Sequence, residues 1–354
     1  VDIVGATRRY EQWLGQHISI VRKDLSFKHQ RMAESPFVLL RGTFYRWMQL
    51  WPTICATLAE APTIPSVGDL HVDNFGTWRD TEGRLIWGIN DVDEACELPY
   101  TNDLVRLATS AILAKRHGHF QLTVRDLSAA MLEGYATSLD RGGAPFVLEE
   151  SHRSLRLIAH SKLRDPKVFW GKLVNARRAT GAVPHALFKA LMPEPGLAYR
   201  VVRRVAGVGS LGHPRLVALA QWRGALIARE AKAWAPSAAV WVTGRKSTNV
   251  DGAVLLGRAV RAIDPFFRRT DGWLVRRLSP DCSRIELEEL PRVRDEERLL
   301  RAMGWETANL HLGRDRAAIR RDLKHRRGHW LEAAAVAMAD AVETDWNDWI
   351  RRVG

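Results

Sequence analysis

Two acidic stretches lie close together in the first third of the chain. The first reads Gly68-Asp69-Leu70-His71-Val72-Asp73-Asn74-Phe75-Gly76, and the second, Ile89-Asn90-Asp91-Val92-Asp93-Glu94-Ala95, begins thirteen residues after Gly76. Asp69 and Asn74 stand five apart in a loop that follows one apolar run, and Asp91 follows another. Those runs, Thr63 to Val67 and Leu85 to Ile89, read as strands, the latter set off by the turn Asp80-Thr81-Glu82-Gly83. Paired as a hairpin, they would bring a carboxylate, an amide and a second carboxylate together beside one small sheet. Phosphoryl transfer needs such a set. One carboxylate orients an acceptor hydroxyl and takes its proton, while hard oxygens from Asn and Asp hold Mg²⁺ on nucleotide phosphates. Asp and Asn are also common turn residues that cap neighbouring backbone, so the joint spacing carries the reading rather than any one residue.

A second feature arrives later. Gly207-Val208-Gly209-Ser210-Leu211-Gly212 is a GxGxxG sequence, in which the missing Cβ atoms let backbone amides approach phosphate. Both dinucleotide-binding folds and kinases use it. In the former the loop opens a helix. Here Pro214 and Leu216-Val217-Ala218-Leu219 follow, then the turn Trp222-Arg223-Gly224 and a further run from Leu226 to Ala231, so the order is strand, glycine loop, strand. Gly207, Gly209, Ser210 and Gly212 are therefore expected to bind the phosphates.

The two acidic stretches resemble the aminoglycoside phosphotransferase and protein kinase superfamily, whose catalytic loop reads H-G-D-x-H-x-x-N and whose metal loop reads I-D-F-D or D-F-G. The resemblance implies Asp69 as the catalytic aspartate, Asn74 and Asp91 as metal ligands, and Asp93 as a second acidic residue at the metal. It also implies that Asp103 braces the catalytic loop from a following helix. A closer resemblance is to the bacterial family known as domain of unknown function 2252, itself regarded as kinase-like. This rests on Ser35-Pro36-Phe37 with Leu40-Arg41-Gly42, on both acidic stretches, on Asp103 to Leu107, on Gly207 to Gly212 and on Arg229-Glu230-Ala231. It covers most of the chain from about residue 30. ATP and Mg²⁺ are the cofactors it implies, with an acceptor bearing a hydroxyl and with Arg41, Gly42, Tyr45 and Arg46 beside that acceptor.

Two positions depart from the kinase pattern. Kinases place a phosphate-contacting Lys on the next strand but one after the glycine loop and pair it with a helix Glu. Here Arg229, 17 residues after Gly212, takes the Lys position, and Leu256 takes the Glu position in the helix beginning at Ala253. Arg grips phosphate through a fixed fork of donors. Lys232, on the other face of the same strand, is the next candidate. The joint replacement leaves two readings open: an active ATP- and Mg²⁺-dependent phosphotransferase, and a nucleotide-binding pseudokinase with a sensor or scaffold role.

The elements around these motifs alternate in character. The first 60 residues read as helices, with Ser35 as a cap, Pro36 in the first turn, and Phe37, Leu40, Phe44 and Met48 on one face. From Asp103 to about Met192 the pattern is helical again. Strand-like runs follow: Tyr199 to Val205, the two after the glycine loop, Trp273 to Leu278 and Ser283 to Leu287, with a short helix from Ala253 to Ile263. Helices resume at Glu296. The expected fold is α+β. Residues 1–195 form a helix-rich catalytic lobe, 196–292 a small antiparallel β-rich nucleotide lobe, and 293–354 helices that pack back on the first lobe. Because the glycine loop follows the catalytic loop, the kinase-like order is circularly permuted.

Composition narrows the class. The chain has 354 residues and a net charge of +13, and only ten of its 53 basic residues are Lys, so much of the surplus is general Arg enrichment. A basic nucleic-acid module is a third reading, but the acidic stretch from Asp69 to Glu97 suits a metal-phosphate site better. No apolar run reaches 18 residues, so no membrane span is expected. Three distant cysteines and the lack of a secretion-signal layout at the start point to a cytoplasmic protein. The basic cluster from Arg314 to Arg327 is expected to be a solvated helix face, and Trp346 and Trp349 to pack in the core.

Overall fold

The computed structural model describes residues 2–149, 151–162, 165–282, 295–313 and 315–353. The strand expected over Ser283 to Leu287 lies outside the described residues. Helices α1 (Ile3–Leu14), α2 (Arg22–Met32), α3 (Pro36–Gly42) and α4 (Phe44–Ile54) open the chain. Ser35 caps α3, its Oγ accepting the Val38 amide at 3.2 Å, and Pro36 sits in the first turn where its missing N–H is not needed.

Four short strands follow: β1 (Thr63–Ser66), β2 (Phe75–Arg79), β3 (Leu85–Ile89) and β4 (Cys96–Pro99). Helices α5 (Tyr100–Arg116) and α6 (Val124–Arg141) come next, then β5 (Phe146–Val147). The pairing differs from the expected hairpin. β1 pairs antiparallel with β4, while β2 and β3 form the hairpin and β5 adds to β3. The turn at Asp80 to Gly83 is the reason. It closes the chain on the residues just before it, Phe75 to Arg79, whose pairing runs from Phe75↔Ile89 to Arg79↔Leu85. Consequently the Asp69–Asn74 loop runs out from β1 to β2, and the Asp91–Glu94 loop returns from β3 to β4. The two acidic loops are neighbouring strand connections.

The chain continues through α7 (Arg153–Lys162), α8 (Pro166–Val174) and α9 (His185–Leu191) into β6 (Tyr199–Arg203), β7 (Arg215–Trp222) and β8 (Ala225–Ala233). Then come α10 (Ala238–Thr243), α11 (Gly252–Arg258), β9 (Arg268–Thr270) and β10 (Trp273–Leu278). The last described elements are α12 (Glu296–His311), α13 (Arg316–His325) and α14 (Trp330–Val353). Strands β6 to β10 form one antiparallel sheet in the order β6-β7-β8-β10-β9, and the glycine-rich loop joins β6 to β7. The chain is thus a mixed α+β protein with small antiparallel sheets.

Packing of α8 to α11 cuts across the expected 196–292 unit, and the boundary expected at 292 lies outside the described residues. Phe169 and Leu173 of α8 cover one face of the five-stranded sheet, against Val217, Leu219 and Ala228. Phe188 and Leu191 of α9 cover the other, against Leu216, Ala218 and Ala231. These helices therefore belong with the sheet. Conversely α10 and α11, which interrupt the sheet in sequence, deliver Ala238, Ala239, Leu255 and Leu256 to the large core of the helical body. Leu256 is thus a core residue. In that body α6 and α12 cross so closely that a Cβ on Gly304 would lie 1.9 Å from the Met131 carbonyl oxygen. Trp349 is buried on α14, as expected, and donates to the His29 carbonyl at 3.2 Å. Within the basic cluster, Arg320 pairs with Asp140 and Arg326 with Asp322, each at 2.7 Å. Arg314 lies outside the described residues.

Candidate functional site

Helix α5 is buried through most of its length, yet it carries Asp103, Arg106 and Ser110, all fully buried. Spaced i, i+3 and i+7, they share one helix face. Each holds a different point of the first acidic loop. Asp103 accepts the amides of Val67 at 2.7 Å and Gly68 at 2.9 Å, Arg106 Nε donates to Asp69 at 3.0 Å, and Ser110 Oγ accepts the Val72 amide at 3.0 Å. His311 of α12 donates to Asp103 at 3.0 Å from the far side. The guanidinium of Arg106 lies over the rings of Phe44 and Trp47 and also donates to the Leu40 carbonyl at 2.8 Å. A buried carboxylate and guanidinium are tolerable only when paired in this way.

The second acidic loop is fastened to the first. Asn74 Nδ2 donates to the carbonyls of Asp69 at 3.3 Å and Asp91 at 2.8 Å, and its Oδ1 accepts the Asp91 amide at 2.9 Å. Asn74 therefore staples the loops, and its Oδ1 keeps one lone pair for another partner. The loops also touch at Gly68, where φ is +81° and a Cβ would stand 2.3 Å from the Glu94 carbonyl oxygen. Asp91 and Asp93 project toward β8, where Lys232 pairs with Asp93 and lies 3.9 Å from Asp91. Asp93 Oδ1 is buried and accepts no hydrogen bond. Glu94 accepts the Ala238 amide at 2.7 Å, and burial pushes its carboxyl up to about 7.

Opposite these loops lies the glycine-rich segment. A Cβ on Gly209 would stand 3.0 Å from the Arg41 carbonyl oxygen and 3.4 Å from Asp69 Oδ2, so the loop backbone rests on the first acidic loop. Helix α2 holds it there. Lys28 Nζ donates to the Gly209 carbonyl at 3.1 Å, and the Val21 amide donates to the Gly212 carbonyl at 2.8 Å. Burial lowers the Lys28 pKa, against the raising influence of Glu11, Glu94 and Asp69. Ser210 Oγ accepts from Arg215 at 2.6 Å.

Between loop and body lies a cleft of about 840 Å³. Asp69, Asn74, Asp91 and Asp93 line one side, and Gly207, Gly209, Ser210 and Lys232 the other. Tyr10, Phe44, Tyr45, Glu94 and Trp234 line it as well. Of the candidates named from the sequence, Asp69, Asn74, Asp91, Asp93, Gly207, Gly209 and Ser210 come together in the cleft, while Gly212, Arg229 and Arg46 stay outside it. Gly212 faces Leu25 and Ile20. Arg229 points to the opposite face of the sheet, where it donates to the Leu191 carbonyl at 3.2 Å and lies 4.2 Å from the Phe266 ring centroid. Burial, then Arg277, lowers its pKa to about 10. Lys232 occupies the cleft in its place. Arg41, Gly42 and Tyr45 reach the cleft, while Arg46 is engaged by Asp345 at 2.7 Å. Sequence reasoning missed Arg106, Ser110 and Lys28. The signal for the first two was polar side chains at helical spacing in an otherwise apolar helix; Lys28 left no comparable trace.

Among the described residues no group of three or more His, Cys, Asp or Glu side chains is arranged to hold a metal by itself. Among the described residues, too, no helix is long and apolar enough to cross a membrane. No curated protein and no solved structure matches the chain. The family described as "Uncharacterized protein conserved in bacteria (DUF2252)" matches residues 21–182 and 198–352, a span that includes both acidic loops, helix α5, the glycine-rich loop and Lys232. The chain belongs to that family.

Proposed function

We propose that the protein is an ATP- and Mg²⁺-dependent phosphotransferase that delivers phosphate to a hydroxyl, with a kinase-like two-lobe fold in circularly permuted order. One observation carries the reading: Asp69, Asp91, Asp93, Lys232 and the glycine-rich loop all line one cleft, although they are drawn from segments as far apart as residues 69 and 232. In this reading Asp69 orients the acceptor and takes its proton through Oδ2, the oxygen turned toward Gly209, while Oδ1 stays with Arg106. Lys232 replaces Arg229 as the phosphate contact. With Lys232 in the cleft, the departure at Arg229 concerns a residue on the other face, and the pseudokinase alternative then rests on Leu256 at the Glu position.

The donor set fits a hard cation. Asp91 and Asp93 supply carboxylate oxygens, Asn74 Oδ1 a spare lone pair, and Asp93 Oδ1 is a buried acceptor without a donor. Two carboxylates and an amide are too few to hold Mg²⁺ alone and suit an ion that shares its shell with phosphate oxygens. Bound there, the cation would neutralise charge on the phosphates. The chain's own residues do the rest. Lys232 and the loop amides hold the phosphates.

The test has two stages. Wild-type protein is melted with Mg²⁺-ATP, and a rise in melting temperature that disappears in Lys232→Met is expected. Labelled ATP is then turned over against pooled hydroxyl metabolites, and Asp69→Asn should bind nucleotide without transferring phosphate. Undiminished transfer by Asp69→Asn would refute the assignment.

A further inference from the structure

The sheet face beside the acidic loops carries more positive charge than its own carboxylate balances. Glu230 of β8 is buried and accepts from three guanidiniums: Arg204, Arg215 at 3.1 Å and Arg276 at 2.6 Å. Burial alone would raise the Glu230 pKa, yet Arg215, Arg276 and Arg204 hold it well below the usual carboxylate range. Arg215 stands directly opposite Lys232 in the β7–β8 pairing, and Arg276 directly opposite Glu230 in the β8–β10 pairing. Arg215, Lys232 and Arg276 therefore point to the same face from three adjacent strands.

That face meets Asn90, Asp91 and Asp93 across a narrow recess beside the main cleft. Among the described residues Glu230, Asp91 and Asp93 face Arg204, Arg215, Lys232 and Arg276, and Asp264 also acts on Arg276. A divalent cation on the aspartates would leave the row with a positive surplus. Surplus charge at buried positions is expensive unless an anion joins it. Arg204 registers the crowding: burial first, then Arg215 and Arg276, bring its pKa to about 10 in spite of Glu230. Arg215 also holds Ser210, so the row is coupled to the glycine-rich loop.

We propose that Arg215, Lys232 and Arg276 form a three-strand platform for a linear triphosphate chain, and that the phosphoryl donor is selected through this chain more than through its nucleoside. The inference rests on the phosphotransferase reading. It commits to one ligand chemistry, which a nucleoside triphosphate and inorganic tripolyphosphate share.

Calorimetric titration with ATP, AMP and inorganic tripolyphosphate, each with Mg²⁺, distinguishes the sources. Tripolyphosphate should compete with ATP and bind within about tenfold of it, and AMP should bind at least about a hundredfold more weakly, given the strength of charged hydrogen bonds to phosphate. Arg276→Met should weaken both triphosphates by about tenfold or more and leave AMP unchanged. Arg229→Met, on the opposite face, should alter none of them. If Arg276→Met does not fold, as judged by its melt, Arg276→Lys serves instead: it keeps the charge and loses the fork, and a drop of about threefold or more is expected. ATP binding without competition by tripolyphosphate would overturn the platform alone, as would wild-type affinity in the Arg276 variant. Failure of both ATP and tripolyphosphate to bind would overturn the phosphotransferase reading as well.

Discussion

Replacing Asp69 by Asn removes more than a reacting group. The side chain of Arg106 is fully buried, while that of Asp69 is 19% exposed and is its carboxylate partner. Two unit charges about 4 Å apart near a protein surface attract by about 4 kcal/mol at an effective dielectric constant of ~20. Asn at position 69 still accepts from Arg106, which retains about 1 kcal/mol, and the Leu40 carbonyl and the rings of Phe44 and Trp47 stay in place. The expected destabilisation is therefore about 2–4 kcal/mol, in line with the penalty for leaving a buried charge without its partner. For a chain of 354 residues at about 2 °C per kcal/mol, that is a fall of roughly 4–8 °C in melting temperature. Thermal melts and urea titrations of Asp69→Asn, Arg106→Met and the double variant measure it. The cycle should give a coupling of about 2 kcal/mol, with the double variant more stable than the sum of the singles. A melting temperature for Asp69→Asn within about 1 °C of wild type would refute the argument, since the pair would then contribute nothing measurable. The result also sets the temperature at which Asp69→Asn can be tested for turnover.

Other expectations follow from the same geometry. Asp103→Ala leaves the Val67 and Gly68 amides and His311 without their acceptor, so a loss of at least about 3 kcal/mol is expected in a urea titration. Gly304→Ala drives a methyl group onto the Met131 carbonyl and should lower stability by about 3 kcal/mol or more, read by the same titration. Glu94 has a folded pKa of about 7, above its unfolded value, so the native state holds its proton more tightly. Its contribution is complete below the unfolded pKa and fades as pH rises to about 7. His213, lowered to about 4 by burial, acts in the opposite sense, favouring the native state as pH rises above that value. Melts of wild type and Glu94→Gln from pH 4 to 8 isolate the Glu94 contribution. The wild type should lose stability relative to the variant between about pH 4.5 and 7, and a constant difference would refute the assignment.

The acidic loops were legible because their chemistry lies in residue type and short spacing, which folding cannot rearrange. The glycine-rich loop was legible because strand runs flank it. Strand partners were not, because Phe75 to Arg79 reads as the tail of a motif and only the turn after it reveals a strand. The choice between Arg229 and Lys232 was hidden for a different reason. A half-exposed strand advertises its inner face by alternation, but both faces of β8 are covered, one by α8 and the other by α9. Parity therefore carries no label in the sequence. The packing of α8 and α9 on the sheet was hidden likewise, because they bury apolar residues that would serve equally well in the helical body.

The row of α5 side chains that holds the first acidic loop has a consequence for the order of assembly. Asp103 reaches its final partner only when His311, 208 positions later, is in place, and Arg46 of α4 meets Asp345 only after 299. Both contacts are strongly non-local, and such contacts form late because long stretches of chain must first be closed. During synthesis the two acidic loops emerge well before α12 and α14. The nascent chain thus exposes the acidic motifs long before it has the scaffold that gives them a fixed geometry. Phosphate chemistry of the proposed kind would switch on near the end of folding, and cleavage between α11 and α12 should silence it while leaving every residue of the cleft intact.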